Sequence, residues 1–208
     1  MDLDGDGTRD LVSGSYHGGI FFFKGLGENK FGDRQCLVEE NQIKKINVNL
    51  IASSVAVVDW DCDGDLDIIS GNIEGDVLLI KNEGTKKEWK FGKPERLKYN
   101  DGKEVKFSYS KTGVCAADWD NDDDQDLVIG LEDAEVVLVR NVGTKEKPEL
   151  AAPEKLYKGK EGEFRYKVGV ADWNGDGLPD LLIGNCQSDP KERASLHGYV
   201  QVLLRTKL

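Results

Sequence analysis

The 208-residue sequence contains no long apolar run, only two histidines, and four cysteines with no paired CxxC spacing. A membrane-spanning helix needs about 20 consecutive apolar residues, so we expect no membrane insertion. A zinc site needs several closely spaced histidine or cysteine ligands, so this composition argues against one. The opening residues MDLDGDG contain no basic and apolar leader, and no secretory signal is visible. The motifs GxSxG and HExxH and the P-loop are also missing, which leaves no recognisable catalytic motif.

Acidic charge is concentrated in four short segments. Asp and Glu number 39 against 28 Lys and Arg, which gives a formal net charge of -11. The four segments hold 18 of these acids, so the remainder of the chain is net basic. Carboxylates held a few ångströms apart repel one another, and such clusters therefore predict bound cations rather than a solvating acidic coat. We expect no nucleic acid partner for these loops, and we interpret the basic excess elsewhere as a solvated face.

The four segments are copies of one unit, with the sequences MDLDGDGTRDLVSG, VDWDCDGDLDIISG, ADWDNDDDQDLVIG and ADWNGDGLPDLLIG. Their first aspartates lie at positions 2, 59, 118 and 172, at separations of 57, 59 and 54 residues. A repeat of this length is long enough for four strands with their turns. The expected units are approximately 1–50, 51–110, 111–165 and 166–208.

Each unit has the pattern of short strands. Small and β-branched residues lead into the acidic segment, as in SSVAVVDW, and two apolar runs follow it, as in DIISG and DVLLIKN. A connector with Gly-Thr and Pro then precedes a fourth strand near ERLKY or EKLY. This pattern predicts an all-β fold of β-propeller blades, each with four antiparallel strands.

The first and fourth units are shorter than the two between them. The first begins at its acidic segment and the fourth ends after YVQVLLR. Closed propellers usually have about 4 to 8 blades. We therefore expect a single domain over 1–208, truncated at both ends, that forms an incomplete arc of a larger propeller.

The segments DGDGTRDLVSG, DCDGDLDIISG, DNDDDQDLVIG and NGDGLPDLLIG, with the NxGT turn that follows, resemble FG-GAP or VCBS-type repeats of integrin-like propellers. The resemblance covers essentially the whole chain and recurs four times. It implies a calcium-binding β-propeller repeat protein, extracellular or at the cell surface, with a role in adhesion.

Aligned as DxDxDGxxD, each segment offers side-chain oxygens at positions 1, 3, 5 and 9 and a backbone carbonyl at position 7. Glycine at position 6 allows the chain to fold back with positive φ. Hard oxygen ligands in a flexible loop favour calcium over zinc, copper or magnesium, so we expect up to four structural Ca²⁺ ions. The predicted side-chain ligands are Asp2, Asp4, Asp6 and Asp10; Asp59, Asp61, Asp63 and Asp67; Asp118, Asp120, Asp122 and Asp126; and Asp172, Asn174, Asp176 and Asp180. The predicted carbonyl donors are Thr8, Asp65, Asp124 and Leu178.

Two alternatives bear on these loops. An EF-hand would place a glutamate at position 12, where this sequence has Ser or Ile, so that motif is rejected. The segments could also be Asp-rich turns that are capped by their own side chains and bind nothing. In the third loop Asp123 replaces the glycine, and whether that loop is occupied stays open.

Aromatic residues and one insertion supply the remaining candidates. Trp60, Trp119 and Trp173 occupy position 2, which alternation directs away from the ion, so we expect them to pack between blades. Trp89 lies outside this register and is a candidate for an exposed contact, and hence a weak candidate for ligand binding. The fourth unit contains the long insertion NCQSDPKERASLHG, in which Arg193 and His197 are weak candidates for ligand binding.

The leading interpretation is a calcium-binding propeller module for extracellular adhesion or recognition of a protein or glycan. The alternative is the propeller domain of a carbohydrate-active enzyme such as a calcium-dependent polysaccharide lyase, although the sequence offers no constellation of catalytic residues. Further blades, or self-association of the chain, would complete the propeller.

Overall fold

The computed structural model describes residues 1–38, 51, 53–108, 111–188 and 196–206. Regular secondary structure within these residues consists of strands that form four antiparallel sheets. The prediction of an all-β fold built from blade-like units is therefore confirmed. Among the same residues, no helix is long and apolar enough to cross a membrane.

Each sheet corresponds to one sequence repeat. The first sheet contains β1 (Leu11–Gly14), β2 (Ile20–Gly25) and β3 (Phe31–Val38). The second contains β4 (Ser54–Val58), β5 (Asp67–Gly71), β6 (Val77–Ile80) and β7 (Glu95–Arg96). The third contains β8 (Gly113–Ala117), β9 (Asp126–Gly130), β10 (Glu135–Val139) and β11 (Glu154–Lys158). The fourth contains β12 (Glu163–Ala171), β13 (Asp180–Ser188), β14 (Leu196–His197) and β15 (Val200–Leu203).

The two middle sheets have the predicted four-stranded form, in which neighbours in sequence pair in order. The fourth sheet differs, because β13 pairs with β12 on one edge and with both β14 and β15 on the other. The fourth strand expected near ERLKY and EKLY is present as β7 and β11.

Small residues allow neighbouring sheets to approach closely along one edge. Strand β4 lies beside β1 and β8, and β8 lies beside β12. A Cβ added at Gly130 would lie 2.5 Å from the carbonyl oxygen of Tyr166, in the adjacent sheet. Because atoms cannot approach so closely, this position requires glycine, and the sheets converge here.

Within the described part of the chain, the core consists of three apolar clusters, each between two consecutive sheets. Alternation along the strands divides neighbouring residues between clusters. Ile68 packs with residues of the first unit, such as Phe22, whereas Ile69 packs with residues of the third, such as Leu127. The second strands of the two middle sheets, β5 and β9, are thus buried on both faces.

The residues at position 2 cover these clusters, with one exception. Leu3, Trp60 and Trp119 are 1%, 5% and 8% exposed, as expected for packing between blades. Trp173 is 62% exposed, so the same prediction is wrong for the fourth unit. The reason is that no described sheet lies beyond the fourth one to cover it.

Trp89 also differs from expectation. Its ring makes an edge contact with Phe22 at a centroid distance of 4.8 Å, and its Nε1 donates to the carbonyl oxygen of Leu3 at 3.1 Å. The side chain is half-buried against the cluster between the first and second units. The ring is therefore only partly exposed, because the connector folds back over the cluster, and the role of Trp89 in ligand binding stays a prediction.

Candidate metal centres

The acidic loops occupy equivalent places in the four sheets. Residues 59–67 connect β4 to β5, 118–126 connect β8 to β9, and 172–180 connect β12 to β13. The first loop precedes β1, and the amide of Asp10 donates to the carbonyl oxygen of Met1 at 2.6 Å. All four loops therefore lie at the same end of their sheets.

Two residues of each loop have positive φ. Position 6 was predicted to need this conformation, and even Asp123 adopts it, at 71°. The remaining position 6 residues are Gly7, Gly64 and Gly177, with φ of 90°, 93° and 82°. The residue at position 4 also has positive φ, which the sequence did not predict. Its residues are Gly5, Cys62, Asn121 and Gly175, with φ of 71°, 54°, 63° and 76°.

Hydrogen bonds within each loop hold the carboxylates in place. The amide at position 6 donates to Oδ2 of the aspartate at position 1 at 2.9 to 3.1 Å in all four loops. The amide at position 7 donates to Oδ1 of the aspartate at position 5 at 2.8 to 3.1 Å. The loops are therefore capped turns, and the same bonds leave other carboxylate oxygens available to an ion.

The carboxylates converge in the first three loops. In each of these loops, three aspartates each contribute one carboxylate oxygen, and these three oxygens lie within 4.8 Å of one another. The groups are Asp2, Asp4 and Asp10; Asp59, Asp61 and Asp63; and Asp118, Asp120 and Asp122. In the fourth loop Asn174 replaces one carboxylate, and its Nδ2 donates to Oδ2 of Asp176 at 3.1 Å.

The aspartate at position 9 is bound by the backbone on both of its oxygens. Oδ2 of Asp67 accepts from the amide of Trp60 at 3.4 Å, and Oδ1 accepts from the amide of Asn82 at 2.7 Å. The corresponding distances are 2.8 and 2.7 Å for Asp10, 3.1 and 2.8 Å for Asp126, and 2.9 and 2.7 Å for Asp180. This residue joins the loop to the end of the strand that pairs with the one following the loop, which is β2, β6, β10 or β15. Its role as a metal ligand stays a prediction.

Burial and negative neighbours disfavour the charged form of this aspartate. Burial, followed by the charges of Asp61 and Asp63, raises the pKa of Asp67 to about 6 against its two backbone hydrogen bonds. Burial likewise raises the pKa of Asp126 to about 6. A cation close to either loop would oppose this effect by stabilising the carboxylates.

Each of the first three loops also receives a basic side chain from its own sheet. Lys24 bonds to Asp4, Lys81 to Asp61, and Arg140 to Asp120. Hydrogen bonding to Asp61 raises the pKa of Lys81. These three basic residues were not predicted from the sequence, although each lies 20 residues after the aspartate at position 3, a constant spacing that could have identified them.

Several buried oxygens indicate that the loops can accept a cation. Among the described residues, Oδ1 of Asp59, Asp61 and Asp124 is buried without a hydrogen-bond partner. Asp124 is 7% exposed, and burial together with the charges of Asp122 and Asp126 raises its pKa to about 6. Its carboxylate is therefore directed into the acidic cluster, whereas the sequence predicted a role for its carbonyl. Hard oxygen donors without partners fit Ca²⁺.

The remaining candidates do not join these loops. His197 is exposed in β14, where it pairs with Gln187. Arg193 lies outside the described residues. Their assignment to ligand binding stays a prediction.

Comparisons with known proteins agree with this architecture. The family model described as FG-GAP-like repeat matches residues 2–70 and 118–183, which is more than half of the chain. No curated protein matches the sequence significantly.

Two solved structures are similar. A lectin of Agrocybe aegerita that recognises non-reducing terminal N-acetylglucosamine has 20% identity and a TM-score of 0.53, over 98% of this chain and 50% of the lectin. The Tc holotoxin pore of Photorhabdus luminescens has 20% identity and a TM-score of 0.48, over 97% of this chain and 8% of that chain. The chain thus spans half the length of the lectin, and at this identity the likeness concerns the fold alone. The repeated loops and the family match show that this chain belongs to the FG-GAP-like repeat family.

Proposed function

We propose that the chain is a calcium-binding β-propeller module that recognises a protein or glycan outside the cell, with a structural Ca²⁺ in each unit. The observation that carries the calcium assignment is the repeated loop in which aspartate oxygens converge and several buried oxygens lack a hydrogen bond. Calcium takes about 6 to 8 oxygen ligands, and these loops supply carboxylates, a carbonyl and access to water.

Side chains at positions 1, 3 and 5 would hold the ion, together with the residue at position 7 and, in the first loop, Asp10 at position 9. The bound ion would supply the positive charge that allows these carboxylates to lie close together. Because the loop connects two strands of one sheet, its ordering would add to the stability of the whole unit. This role is structural and requires no catalytic group.

A melting experiment tests the calcium assignment. At a free calcium concentration of about 100 Kd, one site adds about 2.7 kcal/mol, which raises the Tm of a chain of this size by about 5–10 °C. We expect this increase in calcium, its reversal by chelator, and a smaller increase in magnesium. Equal melting temperatures in calcium and chelator, with no heat of binding by calorimetry, would contradict the assignment.

The proposal that the chain recognises a protein or glycan rests on family membership and on the fold shared with a lectin. An extracellular location accords with a calcium site in each unit, because extracellular modules bind calcium with a Kd of about 10⁻⁴–10⁻³ M and such loops would fill at extracellular calcium levels. A glycan array probed in calcium and in chelator tests for a glycan ligand. Specific, calcium-dependent hits would support it, and a blank array would leave protein recognition as the proposal.

A further inference from the structure

A basic residue occupies the same structural position in the first three units. Lys24, Lys81 and Arg140 each lie immediately before the residue whose amide binds the aspartate at position 9. Because that bond fixes the end of the strand beside the loop, the basic side chain extends towards position 3. It reaches the aspartate there in all three units.

The fourth unit lacks both members of this pair. The amide of Arg205 binds Oδ1 of Asp180 at 2.7 Å, so the register is the same and Leu204 is the counterpart of Lys24. Position 3 of this loop is Asn174 instead of aspartate. The guanidinium of Arg205 does not substitute for the base, because it lies over the ring of Trp119 and donates to that residue's carbonyl oxygen.

Joint loss of the acid and the base keeps the local charge constant. Positions 1, 3, 5 and 9 carry four carboxylates and one base in the first three units, and three carboxylates and no base in the fourth. Both arrangements have a formal charge of -3. At these four positions the base and the carboxylate at position 3 are therefore present together or absent together, although Lys24 also pairs with Asp6 and Arg140 also pairs with Glu154.

The second loop shows how the base and an ion would share the carboxylates. Lys81 bonds to Oδ2 of Asp61 and lies 3.6 Å from Oδ2 of Asp63. Oδ1 of Asp61 and Oδ1 of Asp59 are buried and have no hydrogen bond. The ammonium group thus takes the outer oxygens of the cluster and leaves the inner ones for another cation.

We propose that Lys24, Lys81 and Arg140 are tethered counter-ions that stabilise the metal-free loops and weaken their affinity for calcium. This inference rests on the proposed calcium binding. A unit positive charge about 6 Å from a divalent ion in a solvated site lowers affinity about tenfold. The competing possibility is that the base orients Asp61 for the metal, in which case removing the base would weaken binding instead.

Calcium titration followed by ¹H–¹⁵N NMR separates these possibilities loop by loop. The amides of Gly7, Gly64 and Gly177 are suitable reporters, because each donates to the aspartate at position 1 of its own loop. In Lys81→Leu we expect the Kd reported by Gly64 to fall about tenfold, with less than a twofold change at the other two glycines. An unchanged or increased Kd at Gly64 would overturn the proposal.

Two variants act as matched controls. Lys103→Leu also removes an exposed lysine from an aspartate pair, at 2.6 Å from Asp101, but outside the acidic loops. We expect no change in any calcium affinity for this variant. Lys81→Met keeps the unbranched aliphatic stem, and it must reproduce the tenfold effect if Lys81→Leu folds poorly.

The fourth unit allows the reciprocal experiment. Leu204→Lys should raise the Kd reported by Gly177 about tenfold, because it adds a positive charge without a new carboxylate. Adding Asn174→Asp to this variant recreates the pair of the other loops and should return the Kd to within threefold of the wild type. If Leu204→Lys leaves the Kd unchanged, the base does not set affinity at this position.

Failure of calcium binding is distinguishable from failure of the counter-ion inference. If the wild type binds no calcium in any loop, the proposed function is wrong. The stabilising effect of Lys81 on its loop is then tested by melting in chelator alone. There, Lys81→Leu should melt below Lys103→Leu, because its carboxylates lose their counter-ion. Equal melting temperatures of the two variants in chelator would overturn the inference.

Discussion

The aspartate at position 9 is the most fully buried charged residue of each loop. Asp67, Asp126 and Asp180 are 0% exposed, and Asp10 is 7% exposed. Each carboxylate accepts one hydrogen bond from an amide of its own loop and one from an amide at the end of β2, β6, β10 or β15. A single side chain therefore satisfies two backbone donors that would otherwise be buried without partners.

Removal of this carboxylate should destabilise the fold even without metal. In Asp67→Ala, the amides of Trp60 and Asn82 lose their acceptor, at a cost of about 1–3 kcal/mol each. We expect the free energy of unfolding in chelator to fall by about 2–4 kcal/mol, as measured by urea denaturation. Asp65→Ala, two positions earlier in the loop, is the control and should cost less than 1 kcal/mol. A loss below about 1 kcal/mol in Asp67→Ala would show that water replaces the carboxylate.

The sequence predicted which residues form the loops but only part of their roles. Glycine and alternation indicated the turn at position 6, and the structure confirms it. Position 4 was missed because Cys62 and Asn121 give no sign of positive φ, whereas Gly5 and Gly175 do. The burial of the Asp124 carboxylate was also missed, because the alignment of the loops assigned only a carbonyl role to position 7.

At the level of strands, the opposite end of the second sheet is held by a buried ion-pair network. Asp76 is 0% exposed and accepts from Arg96 at 3.2 Å, Lys106 at 2.7 Å and Asn72 at 3.1 Å. It thereby joins the turn before β6 to β7 and to the segment that leads towards β8. Burial would raise the pKa of Asp76, but the bonds from Lys106, Arg96 and Asn72 outweigh burial and lower it.

This network should make stability depend on pH in acid. Because the pKa of Asp76 is lower in the folded state, its contribution is complete above the unfolded value of about 3.9 and is lost as the pH falls through the folded value. Asp76→Asn should lose about 2 kcal/mol at pH 6, which is less than for a fully buried pair because both bases are partly exposed. The difference from the wild type should narrow below about pH 4.

Urea denaturation at pH 6, 4.5 and 3.5 measures this difference. Asp101→Asn is the matched control, because Asp101 pairs with Lys103 at 2.6 Å in an exposed turn. Its stability should follow that of the wild type at every pH. A gap between Asp76→Asn and the wild type that stays constant down to pH 3.5 would contradict the pKa assignment.

Across the whole molecule, the same packing is repeated between consecutive sheets. The 57, 59 and 54-residue separations and the alternation within strands were enough to predict four blade-like units and the burial of Trp60 and Trp119. No comparable repeat pattern predicted the fourth sheet, in which β13 pairs with two strands at one edge. That arrangement follows from an insertion that has no counterpart in the other units.

Both outer sheets leave apolar side chains exposed where the inner sheets cover them. Val200 is 70% exposed, although its counterparts Val77 and Val136 in the other sheets are fully buried. Trp173, on the same side, is 62% exposed. At the other end, Leu11 is 45% exposed and corresponds to the residues that face the preceding unit. Since the internal interfaces join these two kinds of face, the open ends are complementary to each other.

We therefore expect either further blades or the first sheet of a second copy of this 208-residue chain to cover the face that contains Trp173 and Val200, and self-association of the chain tests the second possibility. Such a head-to-tail contact would bury apolar surface in the way that each internal interface does. Sedimentation equilibrium should show concentration-dependent association of the wild type, and Trp173→Ser should shift it towards monomer by at least tenfold in Kd, about 1.4 kcal/mol. Val142→Ser removes a side chain that is 54% exposed on a connector and should leave association unchanged. A wild type that stays monomeric at several hundred micromolar, with Trp173 fluorescence fully accessible to quencher, would show that no second copy covers this face.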